Sequence, residues 1–240
     1  MKDATAAGVV LLFSCVASLA HAQPAPRAGG FVNVNAGIQE GSQRLTLSVP
    51  VEVFGTSGTL DVDDGLIGGA LFDVSGGVRG PGFAFGAGFS HSRTSGSSNF
   101  TASTIPASAG SFTRSIKGIT PELEHSERAV YVFAAVSKQV TRRVDLTLSG
   151  GPAFLHVRQD VPAAITLNAS GSTVLNMSTA TEDESTVGVY GGLDFNYMFH
   201  RHIGIGAVAR YMWGSVDLPN STDSMTLGGL QVGAGVRMRF

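Results

Sequence analysis

Asp73, Asp145 and Asp194 stand against Arg79, Arg210, Arg237 and Arg239 in one register of a sequence that alternates apolar residues with small or polar ones. Carboxylates and guanidiniums confined to one enclosed face form an ion-pair network, because the same charges enclosed without partners are strongly destabilising. If such pairs exchange partners, the alternative chemistry is a gate through which ions leak. Asp145, Asp194 and Arg237 are expected at similar depth, near one end of the elements that carry them. The histidines His91, His125, His156, His200 and His202 show no HExxH or other metal-ligand spacing, so neither a metal nor a cofactor is expected. His91 continues the series Phe83, Phe85, Ala87 and Phe89 and is followed on the same face by Arg93, a pair suited to holding phosphate. Ser90 and Ser92 point to the opposite face, whereas a His–Ser pair for acyl transfer needs both groups on one surface.

Positioning these residues requires strands. Runs that alternate with period two cover Phe31–Gln39, Gly69–Arg79, Phe83–Thr94, Glu127–Lys138, Val144–Arg158, Val187–Phe199, Ile203–Trp213 and Gly229–Phe240. In the last of them, "GLQVGAGVRMRF", Leu230, Val232, Ala234, Val236, Met238 and Phe240 share one face, and Gln231, Gly233, Gly235, Arg237 and Arg239 share the other. Hairpin-length connections follow the second, fourth and sixth runs: Arg79-Gly80-Pro81-Gly82, Gln139-Val140-Thr141-Arg142-Arg143 and His200-Arg201-His202. The remaining connections, near 40–68, 96–126, 159–185 and 218–225, are mostly long, rich in Ser, Thr, Gly and Asp, and expected as solvated loops. Within the first of these, "LTLSVPVEVF" either extends a hairpin or forms a separate strand. Short turns at one end and long loops at the other predict an all-β, eight-stranded, antiparallel up-and-down transmembrane barrel.

The aromatic residues fit that expectation. Phe83, Phe85, Tyr197, Phe199 and Phe240 fall on the apolar face at the short-turn rim, and Tyr211 and Trp213 toward the opposite rim, where interfacial girdles belong. Of 240 residues only 14% are charged, the net charge is -2, and 32 are Gly. There is no basic block for nucleic acid and no uninterrupted apolar run of about 18 residues for a spanning helix. Residues 1–22 are expected to be a cleaved export signal, with Lys2, the apolar stretch Ala6 to Ala20 and the Ala20-His21-Ala22 cleavage site. Residues 23–28 form a short lead, and 29–240 the barrel. The single cysteine, Cys15, lies in the signal, which leaves the mature chain without a thiol.

The Gly-rich final strand ending in Phe240, with "FVNVNAG", "ALFDVSGGVRG" and "LSGGPAFLHVRQD", resembles the outer membrane protein beta-barrel domain family of small bacterial outer-membrane proteins, over roughly residues 29 to 240. The resemblance implies a monomer in the bacterial outer membrane, in contact with membrane lipid and lipopolysaccharide, whose C-terminal strand is read by the barrel-assembly machinery. An eight-stranded lumen is just wide enough for side chains to fill. The expected role is therefore structural or interactive, through long extracellular loops, rather than enzymatic. A narrow porin-like channel is the alternative, followed by a lipid A-modifying enzyme and a soluble exported β protein.

Overall fold

The computed structural model describes residues 28–40, 44–53, 56–65, 68–96, 99–104, 114–119, 122–167, 174–217 and 224–240. The expected signal and most of the lead lie outside these residues. Among the described residues twelve strands follow in chain order: β1 (Gly29–Gln39), β2 (Arg44–Val53), β3 (Thr56–Gly65), β4 (Gly69–Arg79), β5 (Phe83–Gly96), β6 (Asn99–Thr104), β7 (Arg114–Ile119), β8 (Leu123–Gln139), β9 (Val144–Leu167), β10 (Val174–Met198), β11 (Ile203–Asp217) and β12 (Ser224–Arg239). Eight of them close an antiparallel barrel in the order β1-β12-β11-β10-β9-β8-β5-β4, so each barrel strand pairs with its neighbours along the chain and β12 returns to β1. Closure runs from Phe31 opposite Arg239 to Gln39 opposite Gln231.

Alternation dictates what each face of this wall carries. Ile38, Phe72, Val132, Phe154, Val189, Leu193, Phe195, Ile205 and Val236 project outward and are exposed, while Asn35, Asp73, Ser90, Asn196, Arg210, Gln231 and Arg237 project inward and are buried. This inverts a water-soluble β protein, whose apolar face is inside. The apolar exterior is a lipid-facing wall. β1 and β4, of 11 residues each, are as long as one tilted crossing of the hydrocarbon layer requires.

Three tight turns lie at one end, beside Gly29 and Phe240: residues 80–82, 140–143 and 199–202. Each is tied by backbone bonds across its mouth, such as Gly80 N–H to Phe83 O at 2.8 Å and His200 N–H to Ile203 O at 3.0 Å. Gly82 adopts φ +81°, a left-handed conformation that glycine enters without strain.

The opposite end differs from the sequence expectation. Two of the segments expected as loops form strands: β2-β3-β6-β7 make a second, four-stranded sheet, joined by the pairing of β3 with β6 from Thr59 opposite Ser103 to Val62 opposite Phe100. "LTLSVPVEVF" is thus largely a separate strand, β2. β9 and β10 reach 24 and 25 residues and stay paired from Val144–Tyr197 to Leu167–Val174, far beyond one crossing. The physical reason is that a sustained apolar series is required only where one face meets lipid, although β2, with Leu45, Leu47, Val49, Val51 and Val53 at alternate positions, keeps one. Past the membrane both faces of a strand are wet, so Ser, Thr and Asp replace the apolar series while main-chain pairing continues.

Candidate functional site

The lumen is crossed by a chain of side chains. On β12, Arg237 is buried and spends its guanidinium on three side chains of two strands, β10 and β1: Nε donates to Asn196 Oδ1 at 2.6 Å, Nη1 to Asn35 Oδ1 at 2.6 Å and Nη2 to Asp194 Oδ1 at 3.0 Å. Asn35 passes the connection on, its Nδ2 donating to Asp73 Oδ1 at 2.7 Å. Asp73 Oδ2 accepts from the Tyr131 hydroxyl at 2.6 Å and lies 2.6 Å from Arg210 Nη2. Arg210 Nη1 donates to the Tyr131 oxygen at 2.6 Å, and its Nε to Gln231 Oε1 at 2.6 Å. Gln231 Nε2 donates to Gln39 Oε1 at 2.6 Å, and Gln39 Nε2 to Glu127 Oε2 at 2.7 Å.

Glu127 closes the end nearest the second sheet. Its Oε2 accepts the Gly228 N–H at 3.0 Å, reaching from β8 across the bore to β12, and its Oε1 faces His125 Nε2 at 2.9 Å. Gly228 and Gly229 both have positive φ, +99° and +107°, a kink that suits glycine just where β12 parts from β1. At the turn end Asp145 sits between Arg239, its close partner, and Arg79 at 3.8 Å. The space left between this chain and the turn end, lined among others by Phe31, Arg79, Tyr131, Asp194, Arg210 and Arg239, is a partly open hollow of about 60 Å³, room for a few water molecules.

All seven charged residues singled out in the sequence therefore face the lumen. Their partners sort as Asp73 with Arg210, Asp194 with Arg237, and Asp145 with Arg79 and Arg239. Asp145, Asp194 and Arg237 do not form one cluster, because Asp145 pairs in register with Asn196, nearer the turns than Asp194. Sequence reasoning missed the neutral members, Asn35, Gln39, Tyr131, Asn196 and Gln231, and the His125–Glu127 pair. Their inward parity was the available signal. Charge alone drew attention to the others.

On the outer wall, Phe83, Phe85, Phe199 and Phe240 are exposed at the turn end and Tyr197 there is half-buried, while Tyr211 and Trp213 are exposed toward the other end. Phe83 and Phe85 pack with ring centroids 5.9 Å apart. His91 is on the outer wall and Ser90 and Ser92 are buried inside, so the alternation does separate them. Arg93 donates to Glu124 Oε2 at 2.6 Å, which gives it a carboxylate partner the sequence did not reveal. His156 Nδ1 meets Ser185 Oγ at 2.9 Å, whereas its Nε2 is 3.9 Å from Asp183 Oδ1, too far for a hydrogen bond. At the turns, His202 Nδ1 meets the Arg239 carbonyl at 2.9 Å.

A closed antiparallel eight-stranded wall, apolar outside and filled with paired polar side chains inside, defines an outer-membrane β-barrel protein. No family model matches the chain, and no curated protein sequence matches it. Among solved structures it is similar to Neisserial surface protein A, with 13% identity over 90% of this chain and 100% of that one at a TM-score of 0.46. OprG from Pseudomonas aeruginosa shares 12% identity over 90% of this chain and 98% of its own, at a TM-score of 0.43. Ail of Yersinia pestis, in complex with the heparin analogue sucrose octasulfate, shares 12% over 88% and 99%, at 0.39. These likenesses concern the fold alone.

The sole tryptophan, Trp213, gives the wall a direct probe. In vesicles its emission is expected to be blue-shifted and strongly quenched by brominated acyl chains. Unquenched emission matching that of free tryptophan would mean that this face is not in lipid.

Proposed function

We propose that the protein is an exported, monomeric barrel of the bacterial outer membrane that does not conduct, and that its work is structural or adhesive, done at the end carrying the second sheet and the long β9–β10 hairpin. The observation that carries this reading is the lumen chain from Arg237 through Asp73 and Arg210 to Glu127, which spans the bore and leaves space for little more than water. Rigid barrels present binding surfaces on the segments beyond the membrane, and here those segments are themselves strands. Outer-membrane lipid and lipopolysaccharide are the constant neighbours of the wall. His91 and Arg93, at its upper edge, are the residues first expected to touch lipopolysaccharide. The alternating C-terminal strand with Phe240 provides the surface for assembly-machinery recognition.

Planar-bilayer recording tests the reading. Wild type is expected to give no stable current steps, and the Arg210→Ala/Arg237→Ala double variant, which removes both guanidiniums of the chain, is expected to give small ones. Stable steps from the wild-type protein would replace this reading with the narrow-channel one.

A further inference from the structure

The outer wall across β5, β8, β9 and β10 changes character within a single step of the sheet. Phe89, Val130, Phe154 and Val187 stand opposite one another in register, all exposed and all apolar. Two residues further along each strand, about 7 Å, the same four positions are His91, Arg128, His156 and Ser185, and two residues further again they are Arg93, Ser126, Arg158 and Asp183.

Two concavities follow this division. The lower, about 590 Å³, is lined by Phe89, Val130, Phe154 and Val187 with Arg128 and His156 at its lip. The upper, about 290 Å³, is lined by His91, Arg93, Glu124, Arg128, Arg158 and Asp160. Arg128 belongs to both, so apolar trough and charged bowl form one continuous feature.

The charges in the bowl are unequally satisfied. Glu124 is taken by Arg93 at 2.6 Å, and Asp160 accepts from Thr181 Oγ1 at 2.8 Å and from the Glu124 N–H at 3.4 Å. Among the described residues, no carboxylate lies within ion-pair distance of Arg128 or Arg158. Ser126, placed between Arg93 and Arg158, is small and buried, which leaves the notch open. His91 Nδ1 is buried at the same bowl without a hydrogen-bond partner.

We infer that this feature is a binding site for a phosphorylated acyl lipid, with the phosphate held between Arg128 and Arg158 and the acyl chains lying in the trough over Val130 and Phe154. Guanidiniums match phosphate oxygens with parallel, charge-assisted hydrogen bonds. A soluble anion would use the bowl alone; the adjoining trough, open to the hydrocarbon layer, selects an amphiphile. The inference rests on the reading of the chain as a membrane-embedded barrel, with this rim at the headgroup level.

Native mass spectrometry of the purified, detergent-solubilised full-length barrel tests it. The probes are dioleoylphosphatidic acid, dioleoylglycerol and inorganic phosphate. Wild type is expected to retain one phosphatidic acid and no dioleoylglycerol. The Arg128→Gln/Arg158→Gln variant is expected to lose retention by about tenfold or more, and Phe154→Asn to lose it while both arginines remain. Equal retention by wild type and the arginine variant overturns the site. Displacement of the lipid by millimolar inorganic phosphate overturns the lipid assignment in favour of a free-anion site. Heat-modifiable gel mobility of each variant is measured first; failure of wild type to show it would count against the barrel itself, a different result from a folded barrel that binds no lipid.

Discussion

Asp73→Ala is expected to lower the unfolding free energy of the barrel by about 3–5 kcal/mol, the usual cost of removing one partner from a buried ion pair. Asp73 is the only carboxylate contacting Arg210 among the described residues, and it also receives Asn35 and the Tyr131 hydroxyl. Truncating it strands a buried guanidinium and two further donors. The check is urea-induced unfolding in lipid vesicles, with the temperature at which the gel-mobility shift disappears as a second readout. The Asp73→Leu/Arg210→Met variant, which removes both charges together, is expected to recover most of the loss, since a pair replaced by apolar groups is far less costly than a broken one. An unchanged midpoint in Asp73→Ala would mean that water solvates Arg210 and that the lumen is not closed there.

Gly235→Val is expected to abolish the folded, heat-modifiable species. An added Cβ at Gly235 would collide with the Val34 carbonyl oxygen and come within 2.7 Å of Asn35 Cα, both main chain of β1. Main chain cannot swing aside as a flexible side chain does. The only relief is separation of β12 from β1, which opens the barrel and exposes unpaired N–H and C=O groups to lipid at several kcal/mol each. Gly191→Ala is the control: nothing lies within 4 Å of its Cβ, so its effect should stay within about 0.5 kcal/mol. A folded Gly235→Val barrel would show that the β1–β12 register differs from the one described.

The barrel strands were legible because lipid on one side and a polar lumen on the other impose opposite demands on successive residues. The run ending at Phe240 shows both demands at once, as does Phe83–Thr94. β3, β6 and β7 answer to neither and lie in segments expected as loops, whereas β2, in "LTLSVPVEVF", alternates and was expected either to extend a hairpin or to form a separate strand. The site was legible only as far as charge goes. Arg237 was expected in the lumen from its parity, but that three of its donors reach Asn196, Asn35 and Asp194 depends on barrel curvature bringing β10 and β1 within reach of one side chain. Alternation says which way a residue points and nothing about what stands across the bore. Glu127 and His125 lie where a turn-rich loop was expected to end, and the Gly228 amide that Glu127 holds sits on the far side of the barrel.

Three of the large side chains of the lumen lie over glycines of the strand beside them. An added Cβ at Gly206 would come within 2.6 Å of Arg237 Nε, one at Gly192 within 2.8 Å of Arg210 Cβ, and one at Gly88 would meet the Tyr131 ring. The bore is therefore already present in the polypeptide main chain as a tube, and Arg237, Arg210 and Tyr131 are its stopper. Shortening one of them uncovers bare main chain on the strand beside it, so aperture in this scaffold can be widened locally by substitution without adding a strand or altering the shear of the cylinder.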